Sequence, residues 1–249
     1  EIPTPDGWKT MGDIKVGDKV FDENGKPCNV TFATAPMFEK DCYKITFSDN
    51  TTVDCDYSHL WSVTTASSRR YDNQLKQEQR TFTLDTETLF QDFKEKIYGV
   101  KLTKPVEYSE KTLTVDPYVL GYWLGDGSTN SSSFTVGDED KEETTKLFEE
   151  RGYILKKNKS KLNYSVVGLL TELKKIGTGD VKRIPSTYLQ ASVSQRFELL
   201  KGLLDSDGGI NDRDRDIEFS SCFEELAYQV YELICSLGIK ATIAKNKSY

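Results

Sequence analysis

Val119-Leu120-Gly121-Tyr122-Trp123-Leu124-Gly125-Asp126-Gly127 and Leu200-Lys201-Gly202-Leu203-Leu204-Asp205-Ser206-Asp207-Gly208 are two copies of one pattern. Each is an apolar stretch with a small residue early and an acid followed by glycine at its end. The closing acids, Asp126 and Asp207, stand 81 residues apart. A helix that is apolar on every side is buried on every side. Gly121 and Gly125 in the first copy, and Gly202 and Ser206 in the second, let two helix backbones approach closely. Helices packed that way would bring Asp126 and Asp207 side by side. Facing carboxylates repel unless a cation lies between them, and hard oxygen donors at a partly open site suit Mg2+. One acid-glycine pair after an apolar helix reads as a turn. Two, on matching helices at domain-half spacing, point to metal-assisted phosphodiester hydrolysis.

The flanking sequence repeats as well. Residues 117–125 read as helix, Ser133 to Val136 as strand, and Asp140 to Arg151 as an amphipathic helix with Leu147 and Phe148 on its apolar face. Tyr153 to Val167 is strand and turn, with Asn158 and Asn163 as turn residues, and Leu169 to Ile176 is a short helix. In the second half, residues 195–205 are helical, Ile217 to Ser220 is strand, and Phe223 to Leu237 is helix capped by Gly238. Ile239 to Ala244 resumes strand. Residues 117–160 and 199–245 thus share one order: apolar helix, Asp-Gly turn, strand, amphipathic helix, strand.

These segments resemble the paired LAGLIDADG motifs of homing endonucleases, of the kind found inside inteins. The resemblance places Asp126 and Asp207 at the family's metal-binding acids, with Gly125 and Ser206 beside them as further metal-contacting positions and Mg2+ as the cation. It implies a pseudo-twofold αββαββα monomer whose two motif helices form the central interface and whose β-saddles straddle the DNA major groove. Lys182-Arg183-Ile184-Pro185 is similar to the Lys-x-Ile-Pro element that intein endonucleases carry before the second motif, so Lys182 corresponds to the active-site lysine. An ammonium near a scissile phosphate can polarise the hydrolytic water or stabilise developing charge.

Lys156, Lys157, Lys159 and Lys161 cluster on one strand-turn-strand segment, Arg213 and Arg215 follow the second motif, and Lys240 lies near the end. Basic residues on β-ribbons suit phosphate contact and groove readout. Asp212, Asp214 and Asp216 alternate with the two arginines and weaken the case there. Net charge is −7, which argues mildly against nucleic-acid binding. Residues 111–249 carry 19 basic and 21 acidic residues, so that half is close to neutral.

The first part is strand-rich through residue 65, with turns at Asp6-Gly7, Asn24-Gly25 and Ser48-Asp49-Asn50 and alternating stretches at Val16 to Phe21 and Tyr43 to Phe47. Ser67 through Arg80 reads as a polar loop, Asp85 to Phe93 as a short helix, and Tyr98 to Val106 as strand. Residues 3–21 resemble the opening of the Hint splicing domain of inteins. Asp56-Tyr57-Ser58-His59-Leu60-Trp61 is similar to the later Hint element that ends in histidine, with Asp56 where a threonine is common. His59 is the one histidine of the chain. The resemblance assigns it to activating the upstream scissile amide during the acyl shift.

The expected architecture is two-domain: an all-β Hint-like splicing domain with its linker over 1–110, and an α+β LAGLIDADG endonuclease over 111–249 that lacks its last strands. The terminal nucleophile and the C-terminal His-Asn pair of a complete intein are expected to be absent, so residues 1–249 are not expected to splice unaided. Expected partners are double-stranded DNA with a long asymmetric site and, in cis, the flanking host protein. A monomer inside a bacterial or phage-infected cell is anticipated, with no membrane association. A free-standing endonuclease or maturase would not need the Hint-like start; a DNA-binding insert without cleavage would not need both acids. Five scattered cysteines without a CxxC pair favour reduced thiols over zinc or a disulfide framework.

Overall fold

The computed structural model describes residues 1–93, 95–159, 162–211 and 215–245. In chain order the elements are β1 (Ile2–Thr4), β2 (Gly7–Lys9), β3 (Lys19–Phe21), β4 (Pro27–Asn29), β5 (Cys42–Thr46), β6 (Thr52–Asp56), β7 (Leu60–Thr65), α1 (Ala66–Gln74), β8 (Phe82–Asp85), α2 (Thr86–Asp92) and β9 (Tyr98–Val100). There follow α3 (Pro117–Asp126), β10 (Ser133–Thr135), α4 (Lys141–Glu150), β11 (Leu155–Lys157), β12 (Asn163–Val166), α5 (Leu169–Lys175), α6 (Ser186–Leu189), α7 (Val193–Asp207), β13 (Gly208–Ile210), β14 (Ile217–Phe219) and α8 (Glu224–Ser236). None of the described helices is long and apolar enough to cross a membrane.

Two compact units divide the chain. One gathers residues 1–9, 19–28 and 104–249; the other holds 10–18 and 29–103. Two short N-terminal segments thus group with the C-terminal half.

In the first unit α3 and α7 lie at the centre. Asp116 caps α3 by accepting from the Tyr118 and Val119 amides at 3.0 and 3.2 Å, and Pro117 at the first helical position brings a preset φ. Every residue from Tyr118 to Gly125 is buried. Helix α7 starts at a capping box: the Gln195 amide donates to Ser192 Oγ, and Gln195 Oε1 accepts from the Ser192 amide at 3.2 Å. The two helices meet backbone to backbone. A Cβ added at Gly121 would stand 2.9 Å from the Leu203 nitrogen, and one at Gly202 would stand 2.8 Å from the Tyr122 nitrogen. One turn on, a Cβ at Gly125 would lie 2.8 Å from Ser206 Cβ. The contacts advance together along both chains, so the helices run parallel and end together.

Around this pair the halves differ. The first carries the three-stranded antiparallel sheet β10-β12-β11; the second carries the hairpin β13-β14, with Gly208 opposite Phe219 and Ile210 opposite Ile217. Phe134, Phe148 and Tyr164 pack with Tyr122 in an aromatic cluster under α3, with Phe134 and Phe148 stacked at 4.9 Å. The expected strand over Ile239 to Ala244 does not form among the described residues: Gly238, at φ 73, ends α8, and no described strand pairs with residues 239–244.

The second unit holds the hairpin β5-β6 and the sheet β8-β7-β9. The stretch read as a polar loop from Ser67 to Arg80 contains helix α1 instead. Its cap is Thr65, which accepts from the Ser68 amide at 3.1 Å while its own amide donates to Ser68 Oγ at 3.0 Å. Its buried face carries Asp72, whose carboxylate accepts from Arg80 N and Nε at 2.9 Å each. A helix that buries polar residues has no apolar period to detect. The strand expected over Tyr98 to Val106 stops at Val100. Beyond it, in the first unit, the Lys104 and Glu107 amides donate to Glu23 O and Gly25 O at 3.0 and 2.7 Å, so residues 104–107 line the turn of 19–28 rather than extending a sheet.

The glycine contact sets a stability test. Gly202→Val is expected to cost about 3 kcal/mol, because the helix axes must separate. Gly209→Ala, where an added Cβ meets nothing within 4 Å, is expected to change stability by less than about 0.5 kcal/mol. Urea midpoints of the two variants check both values.

Candidate active site

Both motif helices leave in the same way. Gly127 (φ −73, ψ 152) and Gly208 (φ −85, ψ 152) are extended, and their amides donate to Trp123 O and Leu204 O, closing the last turn. An added Cβ would stand 2.6 Å from Trp123 Cγ at Gly127 and 2.7 Å from Leu204 Cα at Gly208. The glycine after each acid is therefore required by the chain doubling back over its own helix, not by a left-handed φ. Strand β13 starts at Gly208, and Gly127 bridges Phe134.

This exit leaves Asp126 half-buried and Asp207 exposed, at the joined ends of α3 and α7. A Cβ at Gly125 would lie 3.2 Å from Asp207 Cβ, which fixes how near the second acid comes to the first helix. Desolvation first, and the Asp207 charge second, push the Asp126 carboxyl up to about 6, with Lys182 pulling the other way. Lys182 is 8% exposed, and its Nζ donates to Gly125 O. Burial pulls this ammonium below the usual lysine range, opposed by Asp207 and then Asp126. Lys182, expected from sequence to reach the site, thus lies with both acids. Ser206 lies against Gly125, and its hydroxyl donates back to Gly202 O and Leu203 O at 3.0 Å each.

Two residues packed against the segment of Lys182 carried no signal in the sequence. The Phe223 ring centroid lies 5.9 Å from Nζ. Gln229, on α8, bonds both polar groups of the Ile184 peptide, accepting from N at 2.6 Å and donating to O at 3.1 Å. A glutamine inside an amphipathic helix reads as surface unless the facing loop is known.

The remaining expected residues lie elsewhere. Lys156 and Lys157 are exposed on β11, and Lys159 is exposed in the turn after it. Arg215 is exposed with φ 59, and Lys240 is exposed after α8. Lys161 and Arg213 fall outside the described residues. His59 belongs to the second unit. It is exposed at the entry to β7, its ring edge-on to Trp61 at 4.8 Å. Its carbonyl accepts from the Thr86 amide at 3.0 Å, and its amide donates to Asp56 O at 3.3 Å. Asp56 accepts from the Ser58 amide and hydroxyl at 2.7 and 2.6 Å, which holds its carboxyl below the usual range. Asp56 thereby builds the turn that presents His59.

Residues 194–249 match the family described as LAGLIDADG-like domain, a segment that contains Asp207 and all of α7 after its first residue. The chain is 33% identical over 268 residues to the replicative DNA helicase DnaB of Mycobacterium intracellulare, an alignment covering 99% of this chain and 43% of that protein. It is 43% identical over 60 residues to the replicative DNA helicase DnaB of Mycobacterium leprae (strain TN), 24% of this chain and 10% of that one. Among solved structures it is similar to the MchDnaB-1 intein, with 44% identity over 26% of this chain and 49% of that chain and a TM-score of 0.24. The chain therefore carries a LAGLIDADG-like domain over residues 194–249. The chain spans less than half the length of the Mycobacterium intracellulare helicase.

The raised Asp126 carboxyl sets a pH dependence. The folded value of about 6 lies above the unfolded 3.8, so the folded state binds more protons between them. Stability therefore falls as pH rises through that window. Asp126→Asn removes the titration and is expected to gain on wild type by about 1 kcal/mol from pH 4 to pH 7.5, after discounting for solvent screening. Urea denaturation at the two pH values, without divalent cations, measures it; an equal difference at both would exclude the coupling.

Proposed function

We propose that this intein segment cuts both strands of DNA at a specific site, as a homing endonuclease set within a protein-splicing element. The observation that carries this reading is the convergence of Asp126, Asp207 and the buried Lys182 ammonium at the joined ends of two abutting helices. The finer architecture goes with it: a pseudo-twofold LAGLIDADG arrangement over 111–249, with α3-β10 and α7-β13 as corresponding starts, and Hint-type splicing residues within 1–110.

The donors suit a divalent cation. Asp126, raised first by burial and then by the Asp207 charge, gains from a cation beside it, and the hard oxygens of both acids match Mg2+. Asp126 and Asp207 would hold it, with the Gly125 and Ser206 carbonyls alongside. The Gly125 carbonyl already accepts from Lys182, which leaves it one lone pair. A bound cation there lowers the pKa of a coordinated water and offsets charge on the phosphodiester. The protein's own residues do the rest. The acids fix the reacting centre at the junction of the two halves, between the two strands to be cut. Lys182 Nζ, held at Gly125 O, faces the developing negative charge. The exposed Lys156, Lys157, Lys159, Arg215 and Lys240, with Lys161 and Arg213, supply phosphate contacts along the duplex.

The relatives are replicative DNA helicases, so the host reading frame is proposed to be a gene of that kind, and its uninterrupted copy the DNA target. The flanking host protein is the partner in cis. In the splicing element, His59 at its Asp56-built turn is assigned to activating the upstream scissile amide.

Cleavage of a supercoiled plasmid bearing an uninterrupted helicase gene tests the nuclease. Linear product is expected with MgCl2 and none with EDTA. Asp126→Asn and Asp207→Asn are each expected to slow cutting at least about 100-fold, and Lys182→Met by about 100-fold. Lys156→Ala and Lys157→Ala should weaken binding on all sequences and each lower the salt slope by about 1. Nicking that survives Asp207→Asn at the wild-type rate would refute the assignment.

A further inference from the structure

Lys182 lies in the stretch between α5 and α6, outside any helix or strand. Exposure alternates there: Val181 and Arg183 are exposed, Lys182 and Ile184 buried. Lys182 and Ile184 thus face the interior while Val181 and Arg183 face solvent. Ile184 is 1% exposed and belongs to the core. The backbone N–H and C=O of a buried residue must both be bonded. In a sheet a neighbouring strand would meet that need, but here one side chain does. Gln229 Oε1 accepts from Ile184 N at 2.6 Å, and Gln229 Nε2 donates to Ile184 O at 3.1 Å. Only a primary amide carries an acceptor and a donor in this geometry. Leu226, Val230 and Leu233, on the same helix α8, are buried, so the anchor itself is fixed. On the other side of the stretch, the Thr178 hydroxyl contacts Val181 O at 3.0 Å and Arg183 O at 2.7 Å.

We infer that Gln229 is a positioning residue for Lys182: its two-pronged bond to the backbone N–H and C=O of Ile184 sets where the lysine ammonium sits at Gly125 O, at the end of the helix that carries Asp126. The inference rests on the reading of Lys182 as the active-site lysine. Without the amide, the two peptide groups that flank Ile184 lose their partners, and the displacement passes through two residues to Nζ.

Lysine-by-lysine acetylation with an N-hydroxysuccinimide ester, read by mass spectrometry on the full chain, tests this without requiring nuclease activity. In wild type Lys182 should be protected. In Gln229→Leu its rate should rise by about tenfold while Lys146 and Lys156 are unchanged. Gln229→Glu, which keeps the acceptor for Ile184 N, should fall between. Unchanged protection of Lys182, or a uniform rise at all lysines, would overturn the assignment. If Gln229→Leu does not fold, Gln229→Glu decides by the same criterion. In single-turnover cleavage, Gln229→Leu should slow cutting by about 10- to 100-fold with DNA affinity unchanged. In a Lys182→Met background it should add nothing; additive losses would mean a merely structural role. A chain that cuts no DNA would remove the endonuclease reading and leave acetylation to decide on Gln229.

Discussion

Backbone contact between α3 and α7 at Gly121 and Gly202 is the constraint on which the rest of this unit depends. No side chain separates the helices there, and each glycine faces the peptide groups of the opposite helix. The closeness is carried one turn further by Gly125 against Ser206, and it is there that the acids emerge. A Leu or Val at either crossing would spread the helices by the thickness of a side chain, and the carboxylates would part with them. Packing in this protein is therefore the means by which two acids 81 residues apart in sequence come to the same helix junction.

The same contact creates an electrostatic conflict. Parallel helices bring two C-termini together, each with the partial negative charge of unpaired carbonyls. Two carboxylates are added at the same place. Burial first and the Asp207 charge second raise the Asp126 carboxyl, and the Lys182 ammonium offsets part of that rise. At the opposite ends of the helices the situation is balanced. Arg151 pairs with Asp116 at 3.3 Å and Glu198 at 2.6 Å, and lies 4.3 Å over the Tyr118 ring. It ties the cap of α3 to the body of α7. The helices are thus clamped by charge at one end and by glycine in the middle, so the tension collects where chemistry is proposed.

Much of this was legible in the residues. Two all-apolar stretches ending in acid-glycine revealed the buried helices and their meeting point, because burial on every side leaves no polar face and close approach demands small residues. Lys182 was legible through its motif alone. The features that stayed hidden share one physical character: polar groups satisfied inside the fold. Helix α1 buries Asp72 against Arg80, so its sequence lacks an apolar period. Gln229 serves a peptide 45 residues away, and no local pattern marks it. The loss of strand after Val100 and after Gly238 depends on which neighbour the chain finds, which local propensity does not encode.

Arg196 links the central helices to the path of the chain. It is fully buried and has no carboxylate partner among its bonds. It donates instead to three backbone carbonyls: Ala191 O and Ser236 O at 2.9 Å, and Val106 O. Ser236 ends α8, where unpaired carbonyls favour a cation. Burial lowers the guanidinium to about 10, still well above neutrality, so the charge persists and must be shared among these oxygens. Tyr108 covers it at 5.2 Å. One residue of α7 thereby joins the end of α8 to the segment at 106–108 where the chain returns to this unit from residues 29–103. Because Arg196 sits three turns before Asp207 on the same helix, the anchoring of that returning segment and the placement of the second acid are properties of one rigid element.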